Sequence, residues 1–357
     1  MQEMAVSFSK GKQSMTEKKR EDVSKKLVGL SNSRLKYPNL GRIDENDEFR
    51  CSVDRITLMA PLSVEAWEKH FFKWLHLPFI EAAGAGLQVL DYSNCDVDDF
   101  GNPHPHVAPE QVAYMEMTQF QHDKVRIDFN PNHGMNSEGG LWLKDLLSKL
   151  PRKTFSRADI AIDILHHPEI YKYGVWNFGT SKRIFLDKGG KMETTYWGKS
   201  SSKKQIRLYN KKVEQEKRHG RIVNLDEWWR LEMQLRGDKV AQYPQLVKEM
   251  LEHFYIPDYK SSLLKDNEQN KLLRMMIDQS YYGSLPKTSK QRLREIVKKA
   301  KPENSLSILM AKKFVEDLPS LENELYSYLG RFHIEKATVN DEEYKKLEGH
   351  QKLLVHF

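Results

Sequence analysis

Cysteine is nearly absent from this 357-residue chain, with Cys51 and Cys95 the only two. Two cysteines give neither a disulfide framework nor the spacing of a zinc site, and they suit a reducing compartment. No apolar run reaches membrane-spanning length, and the polar N-terminus lacks the apolar core of a secretion signal. A cytoplasmic protein with no membrane partner is therefore expected. Gly84-Ala85-Gly86 lacks a third glycine and a following helix, which argues against a dinucleotide site, and no phosphate-loop signature for ATP occurs. Nor does any strand carry two histidines on either side of an apolar residue. His104-Pro105-His106 has that spacing, but Pro103 and Pro105 remove backbone donors and mark a surface loop. His166-His167 reads as a solvated loop after a strand.

What the chain does have is charge: 57 Lys and Arg against 50 Asp and Glu, a formal net charge of +7. That excess suits nucleic acid but also many enzymes, so its distribution decides more than its total. The length allows two domains. Residues 1–45 read as a flexible arm, where Lys18-Lys19-Arg20 and Lys25-Lys26 are ordinary solvated charge unless DNA is near. Residues 46–256 mix strand patterns with helical ones at 64–75 and 141–150, which predicts an α+β layer. Within it, Asp187-Lys188-Gly189-Gly190 reads as the turn of a hairpin joining 183–186 to 193–197. Residues 257–357 turn helical, with apolar spacing at 272–277, 293–297, 306–315 and 321–329.

Four strand-like segments repeat one design. In Ile206-Arg207-Leu208-Tyr209-Asn210-Lys211-Lys212, alternation puts Arg207 and Tyr209 on one face and Ile206 and Leu208 on the other. Segment 125–130 places Arg126, Asp128 and Asn130 opposite Val125, Ile127 and Phe129. Segment 156–164 places Arg157, Asp159 and Asp163 opposite Ala158, Ile160, Ile162 and Ile164. Segment 229–235 places Arg230, Glu232 and Gln234 opposite Leu231, Met233 and Leu235. Each polar face carries an arginine followed two residues later by an acid, or by the tyrosine. A single such strand is an edge-strand tyrosine or an ordinary ion pair on a solvated sheet face. Four in one antiparallel sheet would gather Tyr209 with Asp128, Asp159 and Glu232.

A tyrosine among cations is how a strand-breaking nucleophile would look. A phenol with a pKa near ~10 needs neighbouring charge to attack a phosphodiester near neutral pH. Arg207, Lys211 and Arg230 supply it and share the charge developing on the phosphoryl oxygens. Clustered carboxylates repel unless a cation sits among them, and hard oxygen ligands suit a divalent metal, Mg or Mn. Asp128, Asp159 and Glu232 are the candidate metal ligands. Asp163 is a fourth, or a group behind the ligands.

With these residues in view, the chain resembles the replication initiator proteins of small rolling-circle plasmids of Gram-positive bacteria, the Rep_trans class. The resemblance runs over roughly residues 31–301, through Ser31-Asn32-Ser33-Arg34-Leu35, Arg126-Ile127-Asp128-Phe129-Asn130-Pro131-Asn132, 155–164, 206–212 and 229–235. It implies that the tyrosine matching Tyr209 nicks one strand at the origin, becoming linked to the 5′ phosphate and freeing a 3′ hydroxyl that primes a polymerase. The family carries glutamate where this chain has Asp128, which keeps the charge but shortens its reach. Its fold is distantly related to nickases that hold metal with a histidine, a bulky apolar residue and another histidine. Further implications are plasmid origin DNA as partner, presented as a hairpin in supercoiled DNA, a homodimer, and host replicative helicase and polymerase.

Lys287, Lys290, Arg292, Arg294 and Lys298 concentrate positive charge between Pro286 and Pro302, with Arg294 and Lys298 four apart on one helical face. Such a face lies along phosphates or in the major groove when it is not simply solvated. In the family this region is implicated in choosing the origin, and the resemblance assigns these residues to DNA binding. The rival readings are a DNA-binding protein that does not cut and a related relaxase or transposase; a metal-dependent nuclease using water is a chemical variant of the main reading.

Overall fold

The computed structural model describes residues 48–329, apart from 94–95, 98–102, 105–108, 119–122, 177–180, 220–222, 224 and 304. The N-terminal arm, the motif at Ser31-Asn32-Ser33-Arg34-Leu35, Cys95, Pro105 and His106 lie outside the described residues.

The elements are β1 (Phe49–Pro61), α1 (Val64–Trp74), β2 (Ile80–Ala83), β3 (Gly86–Asp91), β4 (Asp96–Val97), β5 (Pro103–His104), β6 (Glu110–Met117), β7 (Lys124–Phe129), α2 (Glu138–Lys149) and β8 (Thr154–Leu165). Next come β9 (Gly174–Val175), β10 (Lys182–Leu186), β11 (Met192–Trp197), β12 (Lys204–Asn210), α3 (Lys211–His219), β13 (Trp228–Arg236), α4 (Tyr243–Glu252) and β14 (Phe254–Tyr255). The remainder is helical: α5 (Asp266–Ile277), α6 (Gln279–Ser284), α7 (Lys287–Lys299) and α8 (Leu306–Ser327). One large sheet runs β10-β11-β12-β13-β8-β1-β7-β6-β3-β2, and every neighbouring pair is antiparallel. The fold class is therefore α+β, a large antiparallel sheet with a helical C-terminal region.

Alternation decides which face meets the helices. Ile127, Ile160, Ile162, Leu231 and Leu235 are buried in one apolar core with Leu143 and Leu147 of α2, Leu246 and Met250 of α4, and Phe314 and Leu325 of α8. Truncating one of these, as in Ile162→Ala, costs about 2–5 kcal/mol. The opposite face carries the polar residues. β13 lies between β12 and β8, and all of its residues but Arg236 are buried.

Local chemistry sets the ends of these elements. Ser63 and Ser137 cap α1 and α2, their hydroxyls accepting from Ala66 and Gly140 N–H at 3.1 Å each. The hairpin turn closes as expected, with Lys191 N–H donating to Asp187 Oδ1 at 2.8 Å and Gly190 at φ +79°. Gly198, at φ +94°, turns β11 toward β12, and a Cβ there would meet the Lys204 carbonyl at 2.9 Å. Past β14, α5 and α7 share a smaller core of Leu272, Met275, Leu293, Ile296 and Val297. Helix α8 instead returns to the sheet, where Tyr328 just beyond its end packs on Phe129 at 5.0 Å between ring centroids. It continues through Pro319, joining the two apolar segments into one helix. Among the described residues no helix is long and apolar enough to cross a membrane.

Candidate functional site

Register brings the polar faces of β12, β13 and β8 into rows across the sheet. Tyr209 stands beside Arg230, and Arg230 beside Asp163. In the next row Arg207 faces Glu232, and beyond it Gln205, Gln234 and Asp159 follow one another. Directly opposed residues lie close enough to interact through their side chains, so Tyr209, Arg207, Arg230 and Glu232 share one neighbourhood.

Arg230 is the most tightly held charge. Its Nε and Nη2 donate to the two oxygens of Asp163 at 2.7 and 2.8 Å, and Nη1 pairs with Asp54. Trp228 Nε1 also donates to Asp163, at 2.8 Å. Burial works against the Arg230 charge, but Asp163 and Asp54 hold it well above the usual arginine range. Burial likewise opposes the Asp54 carboxylate, yet Arg230 and Lys211 keep it below the ordinary value. Asp163 is thus saturated by donors and anchors Arg230.

Tyr209 is 4% exposed, and its hydroxyl makes no hydrogen bond among the described residues. The Arg207 guanidinium lies over its ring at 3.9 Å from the centroid, and the Lys211 ammonium at 5.6 Å. Burial pushes the phenol well above its usual value, while Arg230 and Arg207 pull it down and Glu232 and Asp54 push it up. Burial and Arg230 also lower the Lys211 ammonium, which pairs with Glu214 at 2.5 Å. Arg207 Nη2 donates to Glu232 at 2.6 Å.

A pocket of about 240 Å³ opens beside this group, lined by Asp54, Asp159 and Glu232 and by Arg55, Arg157 and Arg207. Asp159 is 1% exposed and receives the Arg157 Nε at 2.7 Å. Burial, followed by the Glu232 and Asp54 charges, raises it to about 7 against the pull of Arg157. Asp128 is elsewhere. β1 stands between β8 and β7, so Asp128 lines a separate hollow of about 420 Å³ with Arg55, Arg126 and Tyr114. There it accepts from Arg55 at 2.6 and 2.7 Å and from Arg126 at 2.8 Å.

The four expected metal ligands are therefore spread over three environments, each acid engaged by a guanidinium. Three acids meet three arginines at the smaller pocket, which balances the charge that a divalent ion would otherwise neutralise. Among the described residues no three His, Cys, Asp or Glu side chains stand where they could jointly hold a metal ion. As arranged, the donor set does not fit one.

Asp54 and Arg55 went unnoticed in the sequence. Pairing of β1 with β8 slips between Val53 and Arg55, a bulge that turns both Asp54 and Arg55 toward the polar face. The signal was present in Val53-Asp54-Arg55-Ile56, where two polar residues separate apolar ones that alternation would place two apart. Trp228 was missed because an aromatic at a strand end reads as core.

Away from the sheet, α7 exposes Lys287, Arg292 and Lys298, while Lys290 and Arg294 are half-buried. Arg294 Nε donates to the Tyr282 hydroxyl at 2.9 Å, and Lys290 Nζ to the Gly283 carbonyl at 2.9 Å. His104 pairs with Asp96 in a two-residue ladder, and His167 stacks on Phe49 at 5.5 Å.

No family model matches the chain. It is 30% identical over 224 residues to a Staphylococcus aureus protein named Replication initiation protein, covering 61% of this chain and 69% of that relative. A second S. aureus protein of that name is 28% identical over 201 residues, covering 55% of this chain and 62% of its own length. Among solved structures, a rolling circle replication initiator protein from Geobacillus stearothermophilus aligns with a TM-score of 0.37 and 17% identity, over 62% of this chain and 91% of that one. That superposition is too loose to carry weight. The similarity to the S. aureus protein, spread over more than two thirds of its length, places the chain in the replication initiation protein family.

Proposed function

We propose that the chain initiates rolling-circle replication of a plasmid by nicking one strand at the origin with Tyr209 and rejoining it at termination. One observation carries this: a buried phenol with no hydrogen-bond partner, set among Arg207, Arg230 and Lys211. An isolated buried hydroxyl costs stability, and a nucleophile is one reason to keep it.

The phenolic oxygen attacks phosphorus, an O–P bond to the 5′ phosphate forms, and the bond to the 3′ oxygen breaks. The phenolic proton is balanced by the one gained at the 3′ hydroxyl, which primes synthesis. Arg207 and Arg230 take the charge developing on the phosphoryl oxygens, and they also counter the effect of burial on the phenol. Asp163 and Asp54 fix Arg230, and Glu232 fixes Arg207. Because the tyrosine ester keeps the energy of the broken bond, the reverse transfer closes a strand without ATP.

Family resemblance adds a homodimer, whose second tyrosine would end the round, host helicase and polymerase as partners, and the cytoplasm as location. It also adds Mg or Mn as cofactor. For Asp159 and Glu232 to receive such an ion, Arg157 and Arg207 would have to release them. Origin recognition is assigned to Lys287, Lys290, Arg292, Arg294 and Lys298 on α7.

The test is incubation with supercoiled origin DNA and Mg²⁺ or Mn²⁺, followed by a search for a protein-linked 5′ end. An adduct that disappears in Tyr209→Phe supports the proposal. Origin binding with no adduct under either metal sinks it in favour of a DNA-binding protein that does not cut.

A further inference from the structure

The row containing Tyr209 does not stop at β12. Thr194 of β11 faces Tyr209, and Phe185 of β10 faces Thr194, so Phe185 stands in the same cross-strand row, on the same face of the sheet. Two strand spacings, about 10 Å of backbone, separate it from the tyrosine. In the adjoining row Arg183 faces Tyr196, and Tyr196 faces Arg207. Phe185 is 51% exposed. Its ring meets Tyr196 edge-on at 5.7 Å, and the Arg183 guanidinium lies over Tyr196 at 5.3 Å. Tyr196 in turn lines the pocket shared by Arg207 and Glu232.

The ring of Phe185 stands half in water on a sheet edge and abuts a second aromatic with a cation on its face, which offers solvent a stacking surface. The surrounding chain is strongly basic, with seven Lys or Arg and two acids between residues 181 and 205. Exposed rings with interspersed cations bind single-stranded nucleic acid, because every base has a π-face to stack and every nucleotide a phosphate to neutralise. A duplex hides those faces inside its own stack.

We infer that Phe185, supported by Tyr196, is a stacking platform for an unpaired base of single-stranded DNA, and that Arg183 takes the adjoining phosphate. Resting on the nicking proposal, this gives the strand a direction across the sheet, from Tyr209 outward to the β10 edge. The bases next to the cleaved bond are then held unpaired by the protein itself.

The probe is a labelled, unstructured thymidine homopolymer compared with a strand of equal length lacking its bases, both followed by fluorescence anisotropy. The wild-type protein is expected to prefer the base-bearing strand by roughly tenfold or more. Phe185→Ala should abolish that preference and Phe185→Trp restore it. Arg183→Ala should weaken both strands alike and flatten the salt dependence. Equal binding of the two strands by the wild type, or a preference that survives Phe185→Ala, overturns the platform. Adduct formation at Tyr209 is scored on the same proteins. An adduct with Phe185-independent binding removes the platform and keeps the nicking reading, while a Phe185-dependent preference with no adduct does the reverse.

Discussion

Asp163 grips the guanidinium of Arg230 with both carboxylate oxygens, at 2.7 and 2.8 Å, and accepts the indole N–H of Trp228 as well. Both charges are buried, so removing Asp163 strips Arg230 of two hydrogen bonds and leaves it with Asp54 alone. Asp163→Ala should cost about 3–5 kcal/mol in urea unfolding. Trp228→Phe, which deletes one hydrogen bond to a charged group, should cost about 1.5–3 kcal/mol. A near-neutral Asp163→Ala would mean that Asp54, with water, is enough to hold Arg230.

Tyr209→Phe should leave stability unchanged or raise it by about 1–3 kcal/mol, because the hydroxyl it removes is buried without a partner. Paired measurements of unfolding and of adduct formation check this. A destabilised phenylalanine variant would show that the hydroxyl has a structural partner and would weaken its reading as a poised nucleophile.

Asp159 is held at about 7 by burial, with Glu232 and Asp54 adding to it and Arg157 opposing it. Arg55 and Arg236 also face this carboxyl electrostatically. Since the folded group binds its proton more tightly than the unfolded one, near 3.8, its contribution to stability falls as pH rises from about 4 to about 7. In metal-free buffer the wild type should lose on the order of a few kcal/mol across that window relative to Asp159→Asn. Parallel pH profiles of the two proteins would refute it.

On α7, Arg292 and Lys298 are exposed, whereas Arg294 is already engaged with Tyr282. Arg292→Ala and Lys298→Ala should each weaken origin binding and reduce the slope of log affinity against log salt by about 1. Unchanged slopes would return the helix to ordinary solvated surface.

The polar faces of β7, β8, β12 and β13 were legible because period-two alternation assigns every residue to a face. Alternation says nothing about neighbours. It could not tell that Arg230 would turn to Asp163 rather than to Glu232 on its own strand, or that Glu232 would be taken by Arg207. Strand order was equally hidden. β1 intervenes between β8 and β7 and keeps Asp128 in a hollow apart from Asp159 and Glu232. The helical region after Pro257 was readable from apolar spacing, but the return of α8 to the sheet is a long-range contact with no local signature.

The bulge in β1 has a consequence for changes of chain length. Val53 pairs with Ile160 and Arg55 with Asp159, consecutive partners on β8, so the ladder passes over Asp54. Deleting Asp54 would restore unbroken alternation and leave Val53 and Ile56 facing the core. A one-residue deletion in a central strand ordinarily turns half its side chains inside out. Here the hydrophobic core would not register the loss, and the polar face would, with Arg230 losing an ion pair and Tyr209, Lys211 and Asp159 a neighbouring charge.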